Sequence, residues 1–511
     1  MKRTNSEILK HLEELTIKND QLSWENTKLR AENREFRAEN TRLRERIEDF
    51  DAKMEERINK AVEEAVAKAT APLYATIKKQ KQEIDRLKSQ LNKDSSNSSK
   101  PPSSNGFTKI PNNREKSGKK QGGQHGHKGN RLNIPKNLSE LVTAGKAEHV
   151  VISDVADGEA YVSDWIVDLK IIPVFTEHRR TPGISPKIEY GMKLKVVAVY
   201  LSVVGLIAVK RLSEFFHEVS HGLITVSKAT LANFNLSIAN KINLEQYIHD
   251  LLNGKVVHVD ETPIKTSERP SSDGTLETFE RTTFNAYIRT YSNKTTTILT
   301  ANPHKTEQSV VLDNILTKFL GIISQDHESK FYNFGTLHAT CGAHLTCELK
   351  GMAQLQMLEW ADDVRRFFVE MNEYKNNDVH NGSMSCDPIK LYQFEIRYDE
   401  LVQAGKTKLT SMTSKSFGAD ELRRMTNRLE KYKDNYLLFI RNYEAPFTNN
   451  QAERDLRHCK TKQKVSGCFR SWQGVLDYCK IRSLLATAKK RGENLLDTLF
   501  CITSQLTSAG Q

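Results

Sequence analysis

The sequence predicts an α/β domain set behind a long N-terminal coiled coil. Two observations carry that expectation. Residues 8 to 50 repeat apolar side chains every seven positions, the spacing of a helix that buries one seam against another helix. From residue 254 onward, short β-branched runs alternate with a helical pattern, which is how an α/β sheet reads in sequence. A third observation sets the boundaries. Residues 348 to 440 are mostly helical by periodicity and interrupt the α/β pattern before it closes. At 511 residues the chain is too long for one ordinary domain.

Composition narrows the class. Charged residues make up 27 % of the chain and the formal net charge is +12, which fits a polyanionic partner. The seven cysteines, Cys341, Cys347, Cys386, Cys459, Cys468, Cys479 and Cys501, are odd in number and confined to the C-terminal third. That is no disulfide framework and points to a reducing cytoplasm. The opening residues lead into polar sequence without an apolar signal region. The longest apolar run, Val196 to Val209, is flanked by Lys195 and Lys210. It is too short for a bilayer core of about 30 Å and reads as a core helix.

The first element covers residues 1–93. Ile8, Leu15, Leu22, Leu29, Phe36, Leu43 and Phe50 take the d positions of seven heptads. The a positions are then Leu12, Asn19, Asn26, Asn33, Asn40 and Ile47. Asparagine at a costs stability but fixes register, and favours a parallel pair in which each Asn meets its own copy. The phase slips between Arg57 and Pro72 and resumes with Leu73, Ile77, Ile84, Leu87 and Leu91. Residues 94–131 are a linker too rich in Ser, Pro and Gly to bury a core. Lys100 to Arg131 holds eight Lys or Arg against the one Glu115. This reads either as a phosphate-binding tether or as a solvated linker.

Residues 132–182 alternate weakly and are expected to form a small β unit. Residues 183–245 are expected to be helical, with Ser227 as N-cap of a helix. That helix reads as the second half of a DNA-binding helix-turn-helix or as part of an ordinary helical hairpin. In residues 246–511, strands are expected at Val256–Val259, Phe284–Thr290, Thr295–Thr300, Gly321–Gln325 and Thr336–Cys341. The second and third are joined by a turn over Tyr291–Lys294, and a helix spans Thr306–Leu320. Three strands, a helix, another strand and a helical insertion at about 348–440 read as a ribonuclease-H-like α/β fold.

Three acidic positions stand out in that frame. Asp260 in Val-Val-His-Val-Asp-Glu-Thr and Asp326 in Gly-Ile-Ile-Ser-Gln-Asp-His each close a β-branched apolar run. Glu453, in Thr-Asn-Asn-Gln-Ala-Glu-Arg, falls in the first turn of an expected helix. Three such carboxylates would hold hard divalent cations, and a metal pair about 3.5–4 Å apart can clamp both oxygens of a phosphodiester exchange. Each has a plainer reading. The aspartates could cap turns, and Asn450 to Glu453 has capping-box spacing. Glu261 beside Asp260 should point to the other face of the sheet, and Asp313 falls within the expected helix. His338, Cys341, His344 and Cys347 recur every three residues. Across a strand–helix junction that rhythm spreads the side chains, so zinc is disfavoured and His344 is read as orienting a carboxylate or phosphate. Arg454, Arg457, Lys460, Lys462, Lys464 and Arg470 come after Glu453 and are candidates for DNA phosphate contact. Phe469 and Trp472 could stack on a base or pack in the core.

Several of these strings together resemble one family, the large transposase of the insertion sequence 66 family, within the DDE superfamily. The Ser-Ser-Asn-Ser-Ser-Lys-Pro-Pro tract and Gly-Gly-Gln-His-Gly-His-Lys-Gly resemble its linker. His-Val-Asp260-Glu-Thr matches its first carboxylate motif. Cys341-Gly-Ala-His344 is similar to its Cys-Trp-Ala-His, with Gly342 replacing Trp. Asn449-Asn-Gln-Ala-Glu453-Arg454 resembles its third motif, and Ser466-Gly-Cys-Phe and Ala488-Lys-Lys-Arg-Gly fit the stretch beyond that motif. The resemblance implies a Mg²⁺-dependent DNA transposase that cuts and joins strands at the element's ends. It implies two Mg²⁺ ions, Mn²⁺ as substitute, and helper proteins from the same element. The coiled coil would pair two protomers on two DNA ends. The alternatives are a decayed DNA-binding assembly protein and a nuclease that cuts without joining. The family's small zinc unit carries paired cysteines after the linker, whereas residues 132–182 contain none.

The heptads generate the first prediction. The full chain is expected to sediment as a dimer, and Leu22→Lys with Leu29→Lys to release the monomer. Asn26→Leu with Asn33→Leu is expected to raise the melting temperature of the helical segment and to loosen its oligomeric state. A wild-type monomer at high micromolar concentration contradicts this.

Overall fold

Heptad spacing over residues 8 to 50 predicts a helix, and a single helix, α1, spans Asn5–Leu91. It continues through Pro72. The computed structural model describes residues 5–93, 97, 133–152, 159–160, 162–179, 188–271, 275–278, 283–356, 358–413 and 416–504. The chain divides into two units, Met1–Lys88 and Ser89–Gln511. Within the first, the whole d seam lies open, from Leu43 at 45 % exposure to Phe36 at 63 %. Seven apolar side chains on one stripe of a solvated helix is what a pairing surface leaves exposed. Apart from Asn97, the basic linker lies outside the described residues.

The expected β unit at 132–182 is corrected. Its described residues contain one short helix, α2 (Leu138–Thr143), and no strand. The alternating residues around Trp165 are exposed and have no ladder partners among the described residues. Next come α3 (Met192–Val203), α4 (Val209–Val219), α5 (Lys228–Ala239) and α6 (Glu245–Leu252). The apolar run expected as one helix stops at Val203, because Leu206 takes a left-handed φ of 56°. Ser227 caps α5 as expected, its side chain accepting the Thr230 amide. Such a cap contributes about 1 kcal/mol. Leu231, Phe234 and Ile238 of α5 are buried in the main core.

The sheet is built from β1 (Val256–Thr266), β4 (Phe284–Ser292), β5 (Thr297–Asn302), β6 (Ile322–Gln325) and β7 (Leu337–Thr340). Its order is β5-β4-β1-β6-β7. The first three strands are antiparallel, and β1, β6 and β7 run parallel. A small ribbon of β2 (Glu268–Pro270) and β3 (Leu276–Thr278) stands beside it. The β1 strand is far longer than the expected four residues, because β4 keeps pairing it as far as Thr266↔Phe284. Pro263 is tolerated there because it falls between the end of the β6 ladder at His258 and the Phe469 bridge at Thr266, where only β4 pairs with β1. The β4–β5 turn sits two residues later than expected. Asn293 makes it, its side-chain oxygen accepting the Thr295 and Thr296 amides.

The expected helix over Thr306–Leu320 is also shorter. Only α7 (Glu307–Asp313) forms, and it ends where Asn314 turns left-handed at φ 52°. The chain then builds α8 (Gly342–Gln356), α9 (Glu359–His380), α10 (Pro388–Thr410), α11 (Ala419–Lys431) and α12 (Lys433–Arg441), the helical block expected from periodicity. It has its own core around Phe367, Phe394, Leu422 and Leu437. Three more helices complete the unit: α13 (Asn450–Ser466), α14 (Trp472–Lys490) and α15 (Leu495–Ser504). Edge strand β5 would expose amide donors, but α14 covers them. Thr297 N donates to Thr487 Oγ1 and Leu299 N to Ser483 Oγ. Lys490 ties the same helix to Asp455 of α13 at 2.8 Å. No helix among the described residues is long and apolar enough to cross a membrane.

One face of the sheet hides an ionic cluster. Glu261 and Arg289 are cross-strand partners and both side chains are fully buried, 2.5 Å apart. Arg289 also pairs with Asp313, which accepts from Tyr291 Oη at 2.6 Å. Lys330 adds a second cation to Glu261 at 3.1 Å. Asp313, unsuited as a site residue, is thus a structural anion. Arg289→Met would leave two buried carboxylates short of a partner. It is expected to lower stability by about 3–5 kcal/mol in urea unfolding, and a loss below about 1 kcal/mol contradicts a structural role for the cluster.

Candidate active site

Strand register assembles the opposite face. His258 pairs with Ser324 in the parallel β1–β6 ladder, and Gln325 pairs with Thr340 between β6 and β7. Carrying both registers one or two residues onward sets Asp260, Asp326 and Cys341 side by side. Side chains alternate along a strand, so Asp260 faces away from the core that holds Val257 and Val259. Asp260, expected to close its strand, lies inside β1 instead, at the point where β6 stops pairing.

The α8 helix starts directly after Cys341, whose amide donates to Gln325 O at 2.9 Å. One turn in, His344 reaches back between two carboxylates. Its Nδ1 is 3.3 Å from Asp326 Oδ1 and its Nε2 is 3.5 Å from Glu453 Oε1. His344, expected to orient a carboxylate, contacts two. A side chain at Gly342 would collide with the Phe447 ring, 2.2 Å from an added Cβ. The Gly342 amide donates to Phe447 O at 2.7 Å. The close backbone approach explains glycine here, where the Cys-Trp-Ala-His string has Trp.

Glu453 enters from α13, and the capping-box reading does not hold there. The N-cap is Asn449, and it makes no side-chain cap bond. The Asn449 side chain instead clamps the helix to β1. Its Nδ2 donates to Val259 O at 2.8 Å and its Oδ1 meets His258 Nδ1 at 3.1 Å. The Asn449 amide donates to Cys341 Sγ at 3.2 Å. The helix N-terminus also favours the Glu453 charge. Sequence reasoning passes over His258 and Asn449, yet the alternation of His-Val-Asp already puts His258 on the face of Asp260.

The electrostatics report crowded negative charge. Burial first, then the charge of Asp326, pushes the Asp260 carboxyl up to about 7, with Glu453 and Glu328 adding to it. The bond to Asp326, then contact with Cys341, holds His344 protonated up to about 12. Asp326 Oδ1 is buried, and its one close cation is His344 Nδ1 at 3.3 Å, without good hydrogen-bond geometry. Burial pushes His258 down to about 4, so it accepts or donates as a neutral ring. Carboxylates whose mutual repulsion raises Asp260 in this way fit divalent cations.

The basic positions separate into two sets. Arg454, Arg457, Lys464 and Arg470 are exposed. The Lys460 amine donates to Pro263 O at 2.6 Å and the Lys462 amine to Ser202 O at 2.9 Å. Burial lowers Lys462 to about 8, and both amines are already bonded to backbone carbonyls of the chain. Phe469 is buried against Tyr478, and Trp472 packs on the same core. Of the three-residue run, His338 packs on Tyr332 at 5.0 Å, away from the carboxylates.

Comparison with known proteins adds the identity. Residues 4–133 match a family of unknown function (DUF6444). No curated protein matches the chain. Residues 188–476, more than half of the chain and all of the site, match the model described as the Transposase IS66 family. The chain therefore belongs to the IS66 family of transposases.

Proposed function

We propose that the protein is a DNA transposase that cleaves and joins strands at the ends of its element, with Asp260, Asp326 and Glu453 as the catalytic carboxylates. The observation that carries this reading is the convergence of three acidic side chains, from β1, the end of β6 and α13, around the single imidazole of His344. The sheet order, three antiparallel strands followed by two parallel ones, supports a ribonuclease-H-like core with the helical block as its insertion.

The three carboxylates would hold two Mg²⁺ ions, with Mn²⁺ as substitute. Bound there, the ions supply Lewis-acid activation of water and of the leaving oxygen. The chain's own residues do the positioning. β1 and β6 fix two carboxylates by ladder register, and Asn449 fixes the third by binding α13 to β1. His344 stands between Asp326 and Glu453, where it orients both and can face a phosphate oxygen. Arg454, Arg457, Lys464 and Arg470 lie exposed on and just beyond the helix that carries Glu453, placed to bind phosphates of the strand being cut. The open seam of α1 would pair two protomers, one for each DNA end. Residues 183–245 would add DNA contact through α4 and α5.

Asp260→Asn, Asp326→Asn and Glu453→Gln are each expected to reduce Mg²⁺-dependent cleavage of terminal DNA by about 10³-fold or more, as groups acting as a unit do. DNA binding should persist in all three. Full activity in Glu453→Gln beside a dead Asp260→Asn removes Glu453 from the site. Asn449→Ala leaves the Val259 carbonyl and His258 without a partner. It is expected to cost about 1–3 kcal/mol of stability and to lower cleavage more than DNA affinity. Unchanged cleavage in a destabilised Asn449→Ala contradicts its positioning role.

A further inference from the structure

The row of strand ends offers a second set of donors beside the three carboxylates. Asp326, Cys341 and His344 each bring one ligand atom within 4.8 Å of the others. One atom is oxygen, one sulfur and one nitrogen. A thiolate is foreign to Mg²⁺, whereas Cys, His and carboxylate together suit zinc.

The spacing fits the same ion. Two N or O ligands about 2.0–2.1 Å from a tetrahedral zinc stand about 3.3 Å apart. His344 Nδ1 and Asp326 Oδ1 are 3.3 Å apart. Both atoms are buried, and they form an ion pair without good hydrogen-bond geometry that a metal between them would replace. Cys341 Sγ, within 4.8 Å of both, needs to close by about 1.2 Å at most to complete the triangle. The surroundings are those of a supported metal site. The Asn449 amide donates to the sulfur at 3.2 Å, and His344 Nε2 faces the Glu453 carboxylate at 3.5 Å. A metal-bound histidine commonly has such a carboxylate on its second nitrogen. Cys347 and His338, the other members of the three-residue run, are not in the set.

We propose that Asp326, Cys341 and His344 form a zinc site with its fourth position open to water, and that zinc held there takes Asp326 away from the oxygen-only carboxylate set. Binding displaces the Cys341 thiol proton and the proton on His344 Nδ1 to solvent, with no change of oxidation state. The zinc site stands on its own geometry. Its inhibitory effect rests on the catalytic role of Asp326 proposed above.

Cobalt(II) is the probe, because a thiolate ligand gives it a sulfur-to-metal charge-transfer band. The full-length protein in excess Mg²⁺ is expected to bind one Co²⁺ per chain with that band, and one equivalent of Zn²⁺ to abolish it. Cys341→Ser should lose the band and Cys347→Ser should keep it. No band in the wild type, or a band that survives Cys341→Ser, overturns the site. His344→Gln, at a side chain 31 % exposed, carries the same test if Cys341→Ser does not fold. It should weaken Co²⁺ at least tenfold, and undiminished affinity there overturns the site as well. A cobalt band together with Mg²⁺-dependent cleavage untouched by Zn²⁺ keeps the site and removes Asp326 from catalysis. No band together with an inactive Asp326→Asn does the reverse.

Discussion

Carboxylates repel, and the site depends on a fold that holds them together regardless. Two unit charges about 5 Å apart repel by about 3 kcal/mol at an effective dielectric of about 20. The opposing restraint is the ladder of β1, β6 and β7, whose parallel register puts Asp260, Asp326 and Cys341 in one row. Beneath that row, on the other face, the buried Glu261–Arg289–Asp313 cluster staples β1 to β4 and α7. The repulsion surfaces as the raised Asp260 carboxyl. It is relieved by His344 in the structure as it stands, and would be relieved further by divalent cations.

The third carboxylate comes from far along the chain, so its placement needs separate machinery. The helical block between β7 and α13 folds around its own core and returns the chain to the sheet. Lys375 of α9 secures the return. Its buried amine donates to Phe439 O at 3.0 Å and Ala445 O at 2.6 Å, on either side of the bend after α12. Gly342 then admits Phe447 against the start of α8, and Asn449 makes the last contact with β1. Each step fixes backbone, so Glu453 arrives with little freedom left.

Local pattern makes part of this legible. The heptads of α1, the Ser227 cap and the strand cores at Val256–Val259 and Ile322–Gln325 read directly, because each depends on neighbours in sequence. The acidic positions stand out for the same reason, as polar residues beside apolar runs. The rest depends on partners far away. The length of β1 comes from β4, and Asp-Glu-Thr-Pro looks like a turn until Arg289 is set opposite Glu261. The early end of α7 rests on one left-handed Asn314. The alternating residues near Trp165 read as strands, but no described segment pairs with them. Lys462 looks like a phosphate ligand because burial is invisible in a charge run. Cys341 joins the carboxylates only once two registers are known.

The central claim is that three carboxylates act as one metal-binding unit. Anomalous diffraction from crystals of the protein on its terminal DNA, soaked in Mn²⁺, tests it most directly. Two peaks about 3.5–4 Å apart are expected, both touching Asp326 or Asp260 and at least one touching Glu453. Peaks elsewhere in the chain, or peaks between Asp260 and Asp326 that leave Glu453 bonded only to His344, would contradict it.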